Sequence, residues 1–355
     1  MKTLHTSETD AMASVAESST FWKHVSAEDW NNWKWQLVHS PNSPDELVSM
    51  LPDKDIAGIS ESAYRVTELY RFRATPYYLS LIDWNDSNDP IRRQCLPDAG
   101  ELCDGEKFAA DPFCEVDTMR EHGIVHRYPD RVLLTATTSC AMYCRHCTRK
   151  NILEKDNNTA SGDSFKAALD YIRAHSQVRE VLISGGDPLL LSNAVLDELL
   201  GKLSSISHVE VLRIGTRLPV VLPMRIDEEL VDILRRHRPV WINTQFNHPR
   251  ELTPESIAAC NRLTDAGIPL SNQSVLLKGI NDSFEIMREL CAALQRNLVR
   301  PYYVFLCDPV AGIAPFRTTV EAARKLQMQL RKTLGGLALP TFVADIPGKS
   351  SKTPL

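Results

Sequence analysis

From residue 132 onward the chain repeats one pattern: a short apolar run, a polar loop, then a longer stretch with apolar residues at helical spacing. Residues 132–137, 180–184, 209–214, 240–243, 268–276 and 299–306 read as strands. Phe165, Leu169 and Ile172 share one face of a helix over 164–175, and Leu196, Leu199, Leu200 and Leu203 mark the next. Leu230, Ile233 and Leu234 mark a third, and Thr253-Pro254-Glu255 opens a fourth with a cap and an early proline. Helices over 283–294 and 319–334 follow, the last expected to end in Gly335-Gly336. Six such units in a row call for parallel strands with right-handed crossovers. No glycine-rich dinucleotide fingerprint follows the first strand. The expected fold is therefore α/β, a partial (β/α)6 TIM-like barrel, with ligands at the carboxyl ends of its strands. Four polar loops meet at that mouth: 138–149, Ser184-Gly185-Gly186-Asp187, Asn243 to Asn247, and the turn at Asp308.

The first loop carries Cys140, Cys144 and Cys147 in a C-x3-C-x2-C array. Three thiolates so close can serve one inorganic centre, and soft sulfur ligands select iron–sulfur clusters, zinc or Cu(I). A structural zinc site wants four protein ligands. A [4Fe–4S] cluster on three cysteines keeps one iron open. His146 could be a fourth ligand, but it sits between two cysteines whose thiolates a tight loop must turn inward. The remaining cysteines (95, 103, 114, 260, 291 and 307) match no ligand spacing and are expected to be small buried hydrophobes.

At 355 residues there is room for a second unit. Residues 1–20 are polar and expected to be disordered or lightly docked. Residues 21–115 are expected to form a helical accessory domain, with Trp22, Trp30, Trp33 and Trp35 in its packing and Ser26 capping a helix. The barrel then occupies 116–345, and 346–355 is a tail of small residues, read as flexible. A net charge of −5 offers no general attraction for nucleic acid. No run is long enough to span a membrane, and residues 1–20 lack the apolar core of a leader, so a cytoplasmic chain is expected.

Several stretches taken together resemble the lysine 2,3-aminomutase family of the radical S-adenosylmethionine (SAM) superfamily. They are YPDRVLLTATTSCAMYCRHCTRK, LISGGDPLL, RIGTRLPVVLP, FNHP, NQSVLLKGIND, RPYYVFLCD and FVADIPGKSSKTPL. The resemblance runs from about Trp30 to the last residue. It implies that Cys140, Cys144 and Cys147 hold a [4Fe–4S] cluster whose open iron binds SAM, and that His146 is not a ligand. Gly185, Gly186 and Asp187 match the loop that receives the methionine part of SAM, where glycines would let a ligand approach closely, and Gln273 matches a position near SAM. Lys352 matches the lysine that carries pyridoxal 5′-phosphate (PLP) as a Schiff base, a bond that needs a primary amine. Arg127, Tyr128 and Arg131 match the binders of its phosphate. Arg149 matches the partner of the substrate α-carboxylate, and Asp308 with Asp345 the pair that meets the side-chain ammonium.

The implied activity is a radical 1,2-amino shift converting L-lysine into β-lysine. The implied partners are a small amino-acid substrate, a flavodoxin- or ferredoxin-type electron donor and further copies of the chain in a homo-oligomer. Arginine is the rival substrate, since a guanidinium also suits two carboxylates. The short C-terminus also resembles aminomutases that serve elongation factor P modification. Longer relatives bind an intersubunit zinc, but Ser283 stands where one of its cysteines is expected, so no zinc is expected here. Gln245 stands where histidine is expected. A non-enzymatic iron–sulfur or zinc regulator is the alternative from another class; it would need neither PLP nor Lys352.

Overall fold

The computed structural model describes residues 22–51, 61–103, 108–116, 119, 123–153, 165–349 and 351–355. The expectation for residues 1–20 and the start of the helix at Ser164 lie outside the described residues.

Among the described residues, the short helices that precede the sheet include α1 (Ala27–Asn31), α2 (Trp33–Val38), α3 (Pro44–Met50), α4 (Glu61–Leu69), α5 (Pro76–Ser80) and α6 (Pro90–Cys95). Polar caps start five of them, because each first turn leaves backbone N–H groups without carbonyl partners. Ser26, Asn32, Ser43, Thr75 and Asp89 accept those hydrogens.

Among the described residues the sheet has nine strands in chain order, β1 to β9. They are β1 (Ile124–Tyr128), β2 (Arg131–Thr137), β3 (Glu180–Gly185), β4 (Val211–Gly215), β5 (Val240–Thr244), β6 (Leu270–Leu276), β7 (Arg300–Leu306), β8 (Thr341–Ala344) and β9 (Thr353–Pro354). Strands β2 to β8 are parallel, while β1 and β9 lie antiparallel at the two edges. The result is an open mixed α/β sheet. Its crossovers carry α7 (Lys166–Ala174), α8 (Asn193–Ser204), α9 (Leu218–Val221), α10 (Glu228–Arg236), α11 (Pro254–Asp265), α12 (Phe284–Arg296) and α13 (Val320–Arg331). Helix α13 stops at Arg331, one turn before Gly335-Gly336, and neither glycine takes a left-handed φ. The glycine stop expected there is corrected. By contrast Gly267, with φ +72°, follows the end of α11 in the left-handed conformation that closes a helix.

One continuous apolar cluster runs from Trp22 and Trp30 through Phe72 and Tyr77 to the sheet residues Ile183, Ile242 and Phe342. The helices before β1 thus bury their apolar faces in the core that the sheet uses, and that packing brings them against the cysteine loop.

Candidate active site

The cysteine loop follows β2 and lies against the N-terminal helical segments. Tyr143 N donates to the Arg73 carbonyl at 3.0 Å and Arg145 N to the Gln94 carbonyl at 3.0 Å. Between the cysteines, the Arg145 side chain is buried and forms a two-pronged ion pair with Glu101, at 3.0 Å and 2.6 Å. Lys150 Nζ reaches the same carboxylate at 2.6 Å. Burial, opposed by Glu101, lowers the Lys150 pKa to about 8. Sequence reasoning assigned neither Glu101 nor Arg145 a role; the only local signal was the capping box joining Asp98 to Glu101.

Burial, then the other cysteines, pushes the Cys140 thiol pKa well up; burial and Cys144 push Cys147 to about 11. The three sulfurs are thus mutual neighbours, and Cys140 and Cys147 need a metal to stay deprotonated at neutral pH. Among the described residues no three His, Cys, Asp or Glu close on a single-ion geometry. A cluster asks for less convergence, since each thiolate takes its own iron. Of the other cysteines, 95, 260, 291 and 307 are buried, but Cys103 and Cys114 are exposed, against expectation.

His146 is buried, and burial holds its pKa well below the usual value. Gln245 Nε2 donates to its Nε2 at 3.0 Å and Asn247 Nδ2 does so at 3.3 Å, so the ring accepts there and carries its proton on Nδ1. Gln245 thereby has a role beside the cysteine loop.

The Ser184–Asp187 loop closes onto that loop. Gly186 N donates to the Thr137 carbonyl at 2.6 Å and Asp187 N to the Ser139 carbonyl at 2.8 Å. A Cβ on Gly186 would lie 2.3 Å from the Ser139 oxygen, and one on Gly185, which has φ +104°, 2.4 Å from the Thr137 oxygen. The contact between the two loops therefore by itself demands glycine at both positions. Asp187 is buried, and its carboxylate accepts from Thr216 Oγ1 at 2.7 Å and Arg217 N at 2.8 Å, tying the loop to the end of β4. Burial raises its pKa to about 6 despite these bonds. Gly186→Ala, which meets fixed backbone, is expected to displace the cysteine loop and lower iron incorporation at least tenfold; iron analysis after anaerobic reconstitution checks this.

The charged residues gather at the other side of the mouth. Arg149 is held by Glu115 through its Nε at 2.7 Å and Nη2 at 3.0 Å. Asp308 accepts from Thr148 Oγ1 at 2.8 Å, while its Oδ1 is buried with no partner. Burial first, then the Asp345 and Glu115 carboxylates, push its pKa up to about 6, with Thr148 and Lys352 opposing. Lys352 Nζ stands 3.4 Å from Tyr128 Oη and 3.9 Å from Asp345. The Tyr128 ring has the Arg131 guanidinium 4.1 Å from its centre and the Lys352 ammonium 5.3 Å away. Arg127 is occupied in this state: it pairs with Asp345 at 2.5 Å and donates to the Ile346 and Lys349 carbonyls. Gln273 lies on β6, half-buried opposite Tyr303 of β7. The tail is not loose. Thr353 and Pro354 pair with β8, and Leu355 N donates to the Phe342 carbonyl at 3.0 Å, which fixes Lys352 near Asp345. Ser283 caps α12, its Oγ accepting from Ile286 N.

Residues 134–291 match the Radical SAM superfamily. The L-lysine 2,3-aminomutase of Clostridium subterminale is 46% identical over 335 residues, covering 94% of this chain and 80% of that protein. The chain belongs to the 2,3-aminomutase family. It is therefore a radical SAM isomerase. The L-lysine 2,3-aminomutase of Bacillus subtilis (strain 168) is 42% identical, covering 94% of this chain and 70% of that one. The glutamate 2,3-aminomutase of Clostridioides difficile (strain 630) is 41% identical, covering 92% and 77%. Family membership alone leaves cationic and anionic substrates open, so the charges in the mouth must decide.

Proposed function

We propose that this aminomutase is a lysine 2,3-aminomutase, interconverting L-α-lysine and β-lysine with a [4Fe–4S] cluster, SAM and PLP. The observation that carries the substrate is the buried, unpartnered Asp308 Oδ1 beside Asp345 and Lys352. An orphaned buried carboxylate oxygen costs free energy until a donor arrives, and an ammonium supplies three. A glutamate side chain would instead meet two carboxylates.

The residues suit all three groups. Three neighbouring thiols fit a cluster; the paired backbone loops of Thr137–Ser139 and Gly185–Asp187 lie beside it, where SAM would bind. Lys352, Tyr128, Arg127 and Arg131 combine a primary amine, an aromatic face and two guanidiniums, a set that matches the aldehyde, ring and phosphate of PLP. When bound, cluster and SAM supply a hydrogen-abstracting organic radical, and PLP supplies the carbon that holds the migrating nitrogen. The chain's own part is placement. Glu115 covers the Nε side of Arg149 and leaves its outer edge to face a carboxylate. Asp308 and Asp345 orient the far ammonium, so lysine is stretched between the two charge sites. Arg127 must exchange Asp345 and the tail carbonyls for a phosphate, which would free Asp345 for substrate.

The finer architecture belongs to the same reading: a partial (β/α)6 barrel over 116–345, a helical accessory domain over 21–115 and a lysine-bearing tail over 346–355. So do a flavodoxin- or ferredoxin-type donor, a homo-oligomer and a cytoplasmic setting. Among the described residues, no helix is long and apolar enough to cross a membrane.

Anaerobically reconstituted, reduced enzyme incubated with lysine, arginine or glutamate is expected to yield β-lysine. β-Arginine or β-glutamate without β-lysine would refute the assignment. Borohydride is expected to fix PLP to wild-type chain and leave Lys352→Ala unlabelled, as mass spectrometry of the C-terminal peptide would read. Labelling at Lys349 instead would reassign the cofactor lysine.

A further inference from the structure

The geometry points to Arg217 as a residue that tunes the iron–sulfur cluster through the Cys144 sulfur. It rests on the reading that Cys140, Cys144 and Cys147 hold that cluster. Arg217 follows β4 and is nearly inaccessible, with 8% of its side chain exposed. Its Nη1 donates to Cys144 Sγ at 2.9 Å. The rest of the guanidinium is fixed from several directions. Nε donates to the Gln245 carbonyl at 3.2 Å, and Nη2 to Glu251 at 2.6 Å, Gln94 at 2.6 Å and Tyr78 Oη at 3.3 Å. Its backbone N–H is held by Asp187, which also fixes the glycine loop.

A planar fork pinned at two of its three nitrogens by carboxylate, amide and carbonyl oxygens cannot turn away from the sulfur. Glu251 offsets the full charge of Arg217 and makes its burial tolerable. What remains directed at Cys144 is an N–H dipole in a site with little water. Hydrogen bonds to cluster sulfurs and exclusion of solvent are two of the factors that set cluster potential. The N–H to sulfur bond strengthens as the cluster gains negative charge, so it favours the reduced form. The step concerned takes one electron from a low-potential one-electron donor into the oxidised cluster, with no proton and no bond formed or broken at Arg217. Arg217 acts through Cys144 and is a positioning residue, not a catalytic one. Gln94 and Tyr78, from α6 and α5, tie that setting to the N-terminal helices.

The test is an anaerobic redox titration of the reconstituted full chain, followed by electron paramagnetic resonance and performed without SAM, so that any contact between Arg217 and SAM is excluded. Wild-type iron content and a cubane signal that is lost in Cys144→Ala come first, and their absence would defeat the underlying reading. In cluster-loaded Arg217→Gln the midpoint is expected to fall by about 60 mV, a tenfold change in a one-electron equilibrium, and Arg217→Lys should lie between. An unchanged midpoint at full iron content would overturn this inference and leave the cluster assignment standing. Should Arg217→Gln take up no cluster, reduced wild-type chain carrying 15N-arginine decides. A 15N hyperfine coupling to the cluster is expected, and its absence overturns the proposal.

Discussion

Glu101→Ala is expected to be the most damaging single substitution outside the mouth itself. The Glu101 carboxylate is buried, with Arg145 and Lys150 both on it and side-chain exposures of 0%, 1% and 5%. Removing it leaves two cations without a counter-charge, with backbone carbonyls of Arg71 for Arg145 and of Arg145 and Gly312 for Lys150, and the Tyr70 ring centre 4.1 Å from the Lys150 ammonium. Breaking a buried pair in this way costs about 3–5 kcal/mol, because the remaining charge stays desolvated. The loss falls on the loop bearing Cys144, Arg145 and Cys147, so iron incorporation should fall together with the thermal midpoint. Glu101→Gln, which keeps the shape and one acceptor, should be milder on both measures. A normal midpoint and full iron content in Glu101→Ala would show that the clamp does not hold the loop.

That clamp also marks where sequence reading stopped. Several interior strands were legible within a few residues because short runs rich in Val, Leu and Ile, such as Val132-Leu133-Leu134 and Val181-Leu182-Ile183, stand between polar loops. Charge partners were not. Arg145 finds Glu101 across 44 residues, Arg149 finds Glu115 across 34, and Arg217 finds Cys144 across 73, and no local pattern announces such pairs. Gly185 and Gly186, read as room for a ligand, also let two loops of the protein touch, a contact between distant segments that no local pattern shows. The tail was misjudged in the same way. Pro347-Gly348-Lys349 has the composition of a loose end, yet two residues of edge pairing on β8 are enough to hold Lys352 near Asp345. Arg127, read as a phosphate binder, is met here holding Asp345 and the tail, partners that lie more than two hundred residues away in the chain.

The second large effect is expected at Asp308. Its carboxylate is buried, accepts one hydrogen bond from Thr148 and leaves Oδ1 unpartnered. A carboxylate about 4 Å from an ammonium at an effective dielectric near 20 is worth roughly 4 kcal/mol before desolvation. Asp308→Asn keeps the acceptor for Thr148 and the side-chain shape while removing the charge. Its kcat/KM for lysine is expected to fall about a hundredfold or more, since 1.4 kcal/mol is tenfold. The pH dependence has a definite sign. Burial raises the Asp308 pKa to about 6, so the group is charged above that value and neutral below it. Lysine affinity in the wild type should therefore drop as pH falls from 7 to 5. A bound ammonium favours the charged carboxylate and displaces the saturated enzyme's transition downward, so the free-enzyme limb belongs in kcat/KM. In Asp308→Asn that limb should be absent between pH 5 and 7, while the PLP content of the protein stays at the wild-type level. A retained limb would assign the titration to another group, and an unchanged kcat/KM would remove Asp308 from the ammonium site and reopen the substrate to arginine or to an anionic amino acid.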